Sequence, residues 1–236
     1  MTIRHEQSLR EGPLRFETGE TRAAVMPVLV SPDWQGSDHA ALDLTLKRAF
    51  DIVGAIIAIV VLSPLFASIV LSVMLDSPGP AIFRQRRNGL FGKRFVIYKF
   101  RSMSVQEDGS RVIQATRGDA RITRIGRFLR KSSLDELPQL FNVLLGDMSL
   151  VGPRPHALAH DEEYGALLRD YRRRARMKPG ITGLAQITGR RGETADLRKM
   201  RERVVFDLWY IENWSIGLDM WILLRTPWSL LTGKAY

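Results

Sequence analysis

Hydrophobic and polar positions divide the chain into a polar start, one long uncharged run and a series of short amphipathic segments. Residues 1–46 show no sustained apolar period and mix Gly12, Pro13, Gly19, Pro27, Pro32 and Gly36 with scattered charge. That pattern predicts a disordered N-terminal tail over 1–46, with a short extended piece at Val25–Val30. No early apolar run follows Met1, so a secretory signal is not expected. Ile52 to Leu75 then gives 24 residues without a charge. A straight helix of that length reaches roughly 36 Å, enough to cross a hydrocarbon layer of ~30 Å. Ser63-Pro64 lies at its middle, and proline removes a backbone donor and clashes with the preceding turn. A kink or break is expected there. Two topologies remain open: a kinked spanning helix, or a re-entrant helix-break-helix over 47–80. Lys47 and Arg48 precede the run while Arg84, Arg86 and Arg87 follow it, so flanking positive charge selects neither end as the cytoplasmic one.

Beyond the run the periods are shorter. AIFRQR and RFVIYKF alternate like strands, and Asn88-Gly89 through Gly92 supplies a turn, so residues 81–103 predict a β-hairpin. Residues 104–120 read as a loop. Ile122, Ile125, Phe128 and Leu129, with Arg121, Arg124, Arg127 and Arg130 between them, predict an amphipathic helix, either docked on the core or lying on an anionic membrane. Leu137, Leu140, Phe141, Leu144 and Leu145 form one stripe of a helix beginning near Asp135, with Pro138 in its first turn and Gly146 closing it. Further helices are expected at Asp161–Met177, at 195–212 and from about Ser215 to Leu231, with a glycine-rich loop at Gly180–Gly192. Trp214, Trp221 and Trp228 recur every seven residues, a core stripe or a membrane-interface one. The fold class expected is α+β and mostly helical.

Composition narrows the chemistry. The chain has no cysteine and four histidines, which excludes disulfide scaffolds, thiolate metal sites and cysteine nucleophiles and disfavours a multi-histidine metal site. Its net charge is +10. Residues 84–131 hold 14 Lys or Arg against three acids, which implies an anionic partner. A nucleic-acid binder would explain the charge but not the uncharged run, and no nucleic-acid motif is present.

The candidate centre is Ser132-Ser133-Leu134-Asp135-Glu136. Ser133 and Glu136 fit a capping box, which by itself would be a purely structural use of the pair. A helix N-terminus would also keep Asp135 ionised and attract phosphate. Arginines can clamp phosphoryl oxygens, adjacent carboxylates can hold Mg²⁺, and an ionised carboxylate can attack phosphorus. The residues point to phosphoryl transfer at a membrane surface.

Several long motifs occur in order: KRAFDIVGA with Ser63-Pro64, GPAIFRQRRNG, FVIYKFRSM, LRKSSLDELPQLFNVLLGDMSLVGPRP, and KPGITGLAQITGR followed by FDLWYIENWS. In these the chain, from about residue 46 onward, resembles the monotopic phosphoglycosyl transferases, bacterial sugar transferases that begin surface-glycan assembly. The resemblance implies transfer of a sugar-1-phosphate from a UDP-sugar, glucose or galactose, to undecaprenyl phosphate through a covalent Asp-phosphosugar intermediate. UMP would be the other product. It implies Mg²⁺, a re-entrant helix broken at Ser63 and Pro64, and an 81–236 catalytic domain on the cytoplasmic face of the inner membrane. Amphipathic interfacial helices would surround a catalytic helix. Asp135 would be the nucleophile and Glu136 its helper, and both would bind the metal. Pro153, Arg154 and Pro155 would lie at the nucleotide and phosphate site. Lys99, Arg130, Arg190 and Asp207 would contact phosphate or substrate, and Asp207 could equally pair with an arginine. Partners expected are the UDP-sugar, undecaprenyl phosphate and membrane lipid, with a homodimer allowed and no nucleic acid. The alternative is a non-catalytic, membrane-anchored partner in polysaccharide export.

Overall fold

The computed structural model describes residues 38–104, 118–190, 192 and 196–232. The expected tail over 1–37 and most of the 104–120 loop lie outside the described residues. The boundary at 46 is corrected: helix α1 runs Asp38–Asp76, so residues 38–46 are helical. Ala40, Ala41, Leu42, Leu44 and Leu46 are strong helix formers, and they extend the helix although no amphipathic period announces it.

α1 continues through Pro64 in place of the expected break. The N–H missing at Pro64 would have bonded the carbonyl of Val60, and Ser63 Oγ donates to that carbonyl at 2.8 Å. One face of α1 is buried through Asp51, Ala55, Ile69 and Val73, while Val53, Ile56, Ile57, Val60, Val61, Leu71, Met74 and Leu75 are exposed.

Both ends of the apolar run are fastened to the same body. At the N-terminal end Lys47 Nζ bonds Asp219 Oδ2 at 2.6 Å, and Arg48 donates to the carbonyls of Val143 and Leu144. Asp51 Oδ1 accepts from Ser149 Oγ and the Leu150 amide, each at 3.0 Å. At the other end Asp76 Oδ2 accepts from the Ile125 amide at 3.0 Å. The buried Arg101 guanidinium donates to the carbonyls of Val73, Ser77 and Pro78.

The hairpin forms as expected, β1 (Ile82–Asn88) antiparallel to β2 (Arg94–Phe100). Its tip holds Phe91 in the left-handed region at φ 52°, with the ring exposed. Helix α2 (Arg124–Ser132) is capped by Thr123, whose hydroxyl accepts from the Gly126 amide. Leu129 of α2, Phe100 of β2 and Ile69 and Val73 of α1 form a buried cluster, against which Leu134 and Leu137 pack.

Helix α3 (Gln139–Leu145) ends at Gly146, which takes φ 89° and returns its N–H to the carbonyls of Asn142 and Val143. The expected loop after it contains β3 (Ser149–Val151), paired in parallel with β4 (Gly180–Thr182) inside the glycine-rich segment. Gly152 and Gly180 allow this approach, since a Cβ on either would strike the other's backbone or its neighbours within 2.0–3.0 Å. The single helix expected over Asp161–Met177 is instead α4 (Leu158–Leu167) and a separate 3-10 turn at Tyr171–Arg176. A four-residue helix α5 (Leu184–Ile187) follows β4. Helices α6 (Leu197–Glu212) and α7 (Ile216–Thr232) complete the chain as described. The tryptophan stripe is not one core seam. Trp214 donates to Asp219, Trp221 lies under Arg225, and Trp228 is 65% exposed.

Candidate active site

Asp135 and Glu136 occupy a 3-10 turn, Leu134–Glu136, entered through Ser133 in the left-handed region at φ 60°. The expected capping box does not form, because Ser133 makes no side-chain cap bond. Pro138 is the reason. It cannot donate to the carbonyl of Leu134, so α3 starts only after it and the two carboxylates precede the helix. Leu134 and Leu137 anchor the turn in the cluster shared with α1, and both carboxylates are buried.

The two acids have opposite surroundings. Glu136 is held by two cations: Lys99 Nζ at 2.8 Å from Oε1, and Arg154, whose Nη1 is 2.8 Å from Oε2 and whose Nη2 also bonds Oε1. Burial works against its charge, but Arg154 and Lys99 outweigh it and hold the carboxyl well below the usual range. Asp135 accepts no hydrogen bond and makes no ion pair among the described residues. Burial first, and the Glu136 charge second, raise its carboxyl to about 6 against the pull of Lys99, Arg130 and Arg154. A short turn offers little dipole to set against this desolvation, so the ionised form is less favoured than a helix N-terminus would make it. At neutral pH Asp135 is still mainly ionised, buried and uncommitted.

Lys99 and Arg154 meet on Glu136, from β2 and from the segment after β3. Burial lowers the Lys99 ammonium below its ordinary value in spite of Glu136. Arg130 contacts Met103 Sδ and acts on Asp135 through its charge. Pro153 and Pro155 fix the backbone around Arg154: the Pro153 carbonyl accepts from Gly180, and that of Pro155 from Arg87. Arg190 donates to the carbonyl of Thr188, pairs with Glu202 at 3.9 Å and lies 4.3 Å over the Phe206 ring. Asp207 takes its structural option, a buried pair with Arg174 Nε at 2.7 Å.

Sequence reasoning missed His156, Tyr171, Arg174 and Arg203, which form a buried network behind Arg154. Only the position of His156 directly after Pro155 could have pointed there, since its partners come from distant segments. Beside this network opens a cavity of about 530 Å³, lined by Asn88, Phe91, Arg154, His156, Arg172 and Arg176 among others.

Among the described residues no group of three or more His, Cys, Asp or Glu could hold a metal alone. Glu136 already shares both oxygens with cations, so Asp135 is the one uncommitted carboxylate. That donor set suits Mg²⁺ completed by phosphate oxygens and water.

A relative from Escherichia coli (strain K12), a UDP-glucose:undecaprenyl-phosphate glucose-1-phosphate transferase, is 54% identical over 190 residues, 80% of this chain and 41% of its own length. One of the same name from Caulobacter vibrioides is 53% identical over 194 residues, covering 82% of this chain and 72% of the relative. An undecaprenyl-phosphate galactose phosphotransferase of Salmonella typhimurium is 44% identical over 196 residues, 77% of this chain and 39% of its own. The chain thus spans about two fifths of the Escherichia coli and Salmonella relatives and nearly three quarters of the Caulobacter one. With the bacterial sugar transferase family matching residues 42–233, from within α1 to just past α7, the chain belongs to the bacterial sugar transferase family.

Proposed function

We propose that the protein transfers a sugar-1-phosphate from a UDP-sugar to undecaprenyl phosphate, at the cytoplasmic face of a bacterial inner membrane, to begin a surface glycan. UDP-glucose is the favoured donor, because the relatives above 50% identity are named for glucose. The observation that carries the reading is the uncommitted, ionised Asp135 beside a cation-saturated Glu136. A non-catalytic export partner would have no use for a buried, ionised carboxylate that no side chain among the described residues hydrogen-bonds.

In the first step an Asp135 oxygen bonds the β-phosphorus as the bond from that phosphorus to the bridging oxygen breaks. UMP leaves with that oxygen, and the sugar phosphate remains as an acyl-phosphate. In the second step an oxygen of the lipid phosphate attacks the same phosphorus, giving the sugar diphospholipid and freeing Asp135. Arg154 and Lys99 supply fixed positive charge beside the transferring group. The nucleoside would occupy the cavity beneath Phe91. Mg²⁺, held by Asp135 and the donor's diphosphate oxygens, would offset charge on the departing phosphate.

The clamps on α1 support a re-entrant topology. Lys47, Arg48 and Asp51 at one end and Asp76 with Arg101 at the other hold a single body, an arrangement that would put both flanks of the apolar run on one side of the membrane. Its exposed apolar face, together with Phe128, Leu145 and Trp228, would contact lipid.

The test is to mix the protein, in lipid nanodiscs, with each of a panel of UDP-sugars and no acceptor. A UMP burst no larger than the enzyme concentration is expected, with one sugar phosphate gained on the peptide containing Asp135. UMP release only in the presence of polyprenyl phosphate, with no adduct, would overturn the covalent path in favour of direct transfer.

A further inference from the structure

Two guanidiniums, of Arg174 and Arg203, lie 3.2 Å from the ring nitrogens of one buried imidazole, His156, and the charges of Arg87 and Arg154 surround it. Its hydrogen bonds are not interchangeable. Tyr171 Oη lies 2.6 Å from Asp161 Oδ1 and 2.6 Å from His156 Nδ1. A carboxylate can only accept, so the tyrosine proton goes to Asp161. Toward His156 the hydroxyl is then the acceptor, and this 2.6 Å contact, shorter than the 3.2 Å one from Arg174, assigns the ring's proton to Nδ1. Nε2 is left with its lone pair, which faces Arg203 Nη1 at 3.2 Å. Arg174 Nη1 also lies 3.2 Å from Nδ1, but its guanidinium is held independently by Asp207 on Nε and the Arg154 carbonyl on Nη2.

Arg203 makes three bonds: to His156 Nε2, to the Arg190 carbonyl at 2.9 Å and to the Gly192 carbonyl at 3.1 Å. It therefore joins the glycine-rich loop to the residue that follows the Pro-Arg-Pro segment. The relay extends the other way as well, since Asn88 Nδ2 at the end of β1 donates to Asp161 Oδ2 at 2.9 Å. One polar chain, Asn88–Asp161–Tyr171–His156–Arg203, thus runs from the hairpin end to the glycine loop and passes directly behind Arg154.

We propose that His156 is a positioning residue, which as the neutral Nδ1–H tautomer locks the Pro-Arg-Pro segment to the glycine loop and so fixes Arg154 on Glu136. Burial and the surrounding arginines hold its ring well below the usual histidine range, in keeping with a neutral imidazole. The kinetic consequence rests on the transferase reading above; the coupling of the two loops does not.

Tyr171→Phe is the discriminating variant. It keeps the ring between His156 and Tyr164, at 6.0 Å from each, and removes only the acceptor that fixes the tautomer. Nδ1 is then free to accept from Arg174, moving the proton to Nε2, where it opposes Arg203. Amide hydrogen exchange of the full chain in nanodiscs should rise about tenfold at residues 184–190, reached from Tyr171 through His156 and Arg203. Turnover with UDP-glucose should fall roughly tenfold to a hundredfold in kcat with KM little changed, as for a group displaced by about 1 Å. His156→Gln can present an amide oxygen to Arg203 and an N–H to Tyr171, so it should recover much of the loss seen in His156→Leu. Unchanged exchange at 184–190 in Tyr171→Phe would overturn the proposal. So would equal behaviour of the Gln and Leu variants, with activity falling only as the melting temperature does. If the wild type itself releases no UMP, the transferase reading fails and the exchange data alone decide the role of His156.

Discussion

Replacing Asp135 with Asn keeps the size of the side chain and removes its charge. In the folded protein burial and Glu136 lift the Asp135 carboxyl from 3.8 to about 6. A gap of that size corresponds to about 3 kcal/mol between the two protonation states. Because the folded value lies above the unfolded one, the protonated carboxyl favours folding. That contribution is complete below about pH 4 and is lost as pH rises through about 6. At pH 8 the ionised Asp135 therefore destabilises the fold, and Asp135→Asn should be more stable by about 2–3 kcal/mol. For a chain of this length that is a gain of roughly 5–10 °C in melting temperature. Thermal melts of both proteins in one detergent, with EDTA present, should show the gain at pH 8 and a shrinking gain toward pH 5. The same variant should release no UMP. An Asn variant no more stable than the wild type at pH 8, or a gain independent of pH, would refute the assignment of Asp135 as a carboxylate held charged against its surroundings. Such a gain upon loss of activity is the mark of a site kept for function at the expense of stability.

Three other outcomes are expected. The chain has no cysteine, so Leu44→Cys and Pro80→Cys, both at exposed positions, give clean topology probes; both should resist an impermeant thiol reagent in intact cells and react in lysed ones, and labelling of only one would mean a spanning helix. Arg101→Met should lose about 3–5 kcal/mol, because it strips charged donors from three carbonyls at the end of α1, and protease sensitivity at 77–80 should rise with it. EDTA should stop turnover and Mg²⁺ restore it; full activity in EDTA would remove the metal from the reaction.

What the sequence disclosed depended on the range of the interactions involved. The hairpin was legible because alternation and Asn88-Gly89 are local, and the α3 stripe and its Gly146 stop for the same reason. Asp135 and Glu136 stood out by type, but their division of labour did not, since Lys99 and Arg154 come from 37 residues before and 18 after Glu136. The β3–β4 pairing joins three-residue strands about thirty residues apart, too short for any period to show. Pro138 misled in a particular way. It suits the first turn of a helix, yet here it delays the helix until after the carboxylates. Asp207 takes the salt-bridge option that its type allowed, while the contact of Arg190 with Phe206 joins segments too far apart in sequence to be read from the motif.

The long apolar helix is usually thought of as an anchor, separable from the chemistry. Its contacts argue otherwise. Ile69 and Val73 bury against Phe100, the neighbour of Lys99, and Leu134 and Leu137 on either side of the carboxylates pack into the same cluster. Phe66 stands edge-on to both Phe100 and Phe141. Arg48 covers the last carbonyls of α3, the helix that follows the reacting turn. Lys99 and Glu136 are therefore brought to 2.8 Å by a core whose third wall is α1. A close-packed core does not tolerate the loss of one wall, so displacing α1 from the body would shift both members of that pair. The apolar segment is part of the scaffold that holds one carboxylate neutralised and the other free.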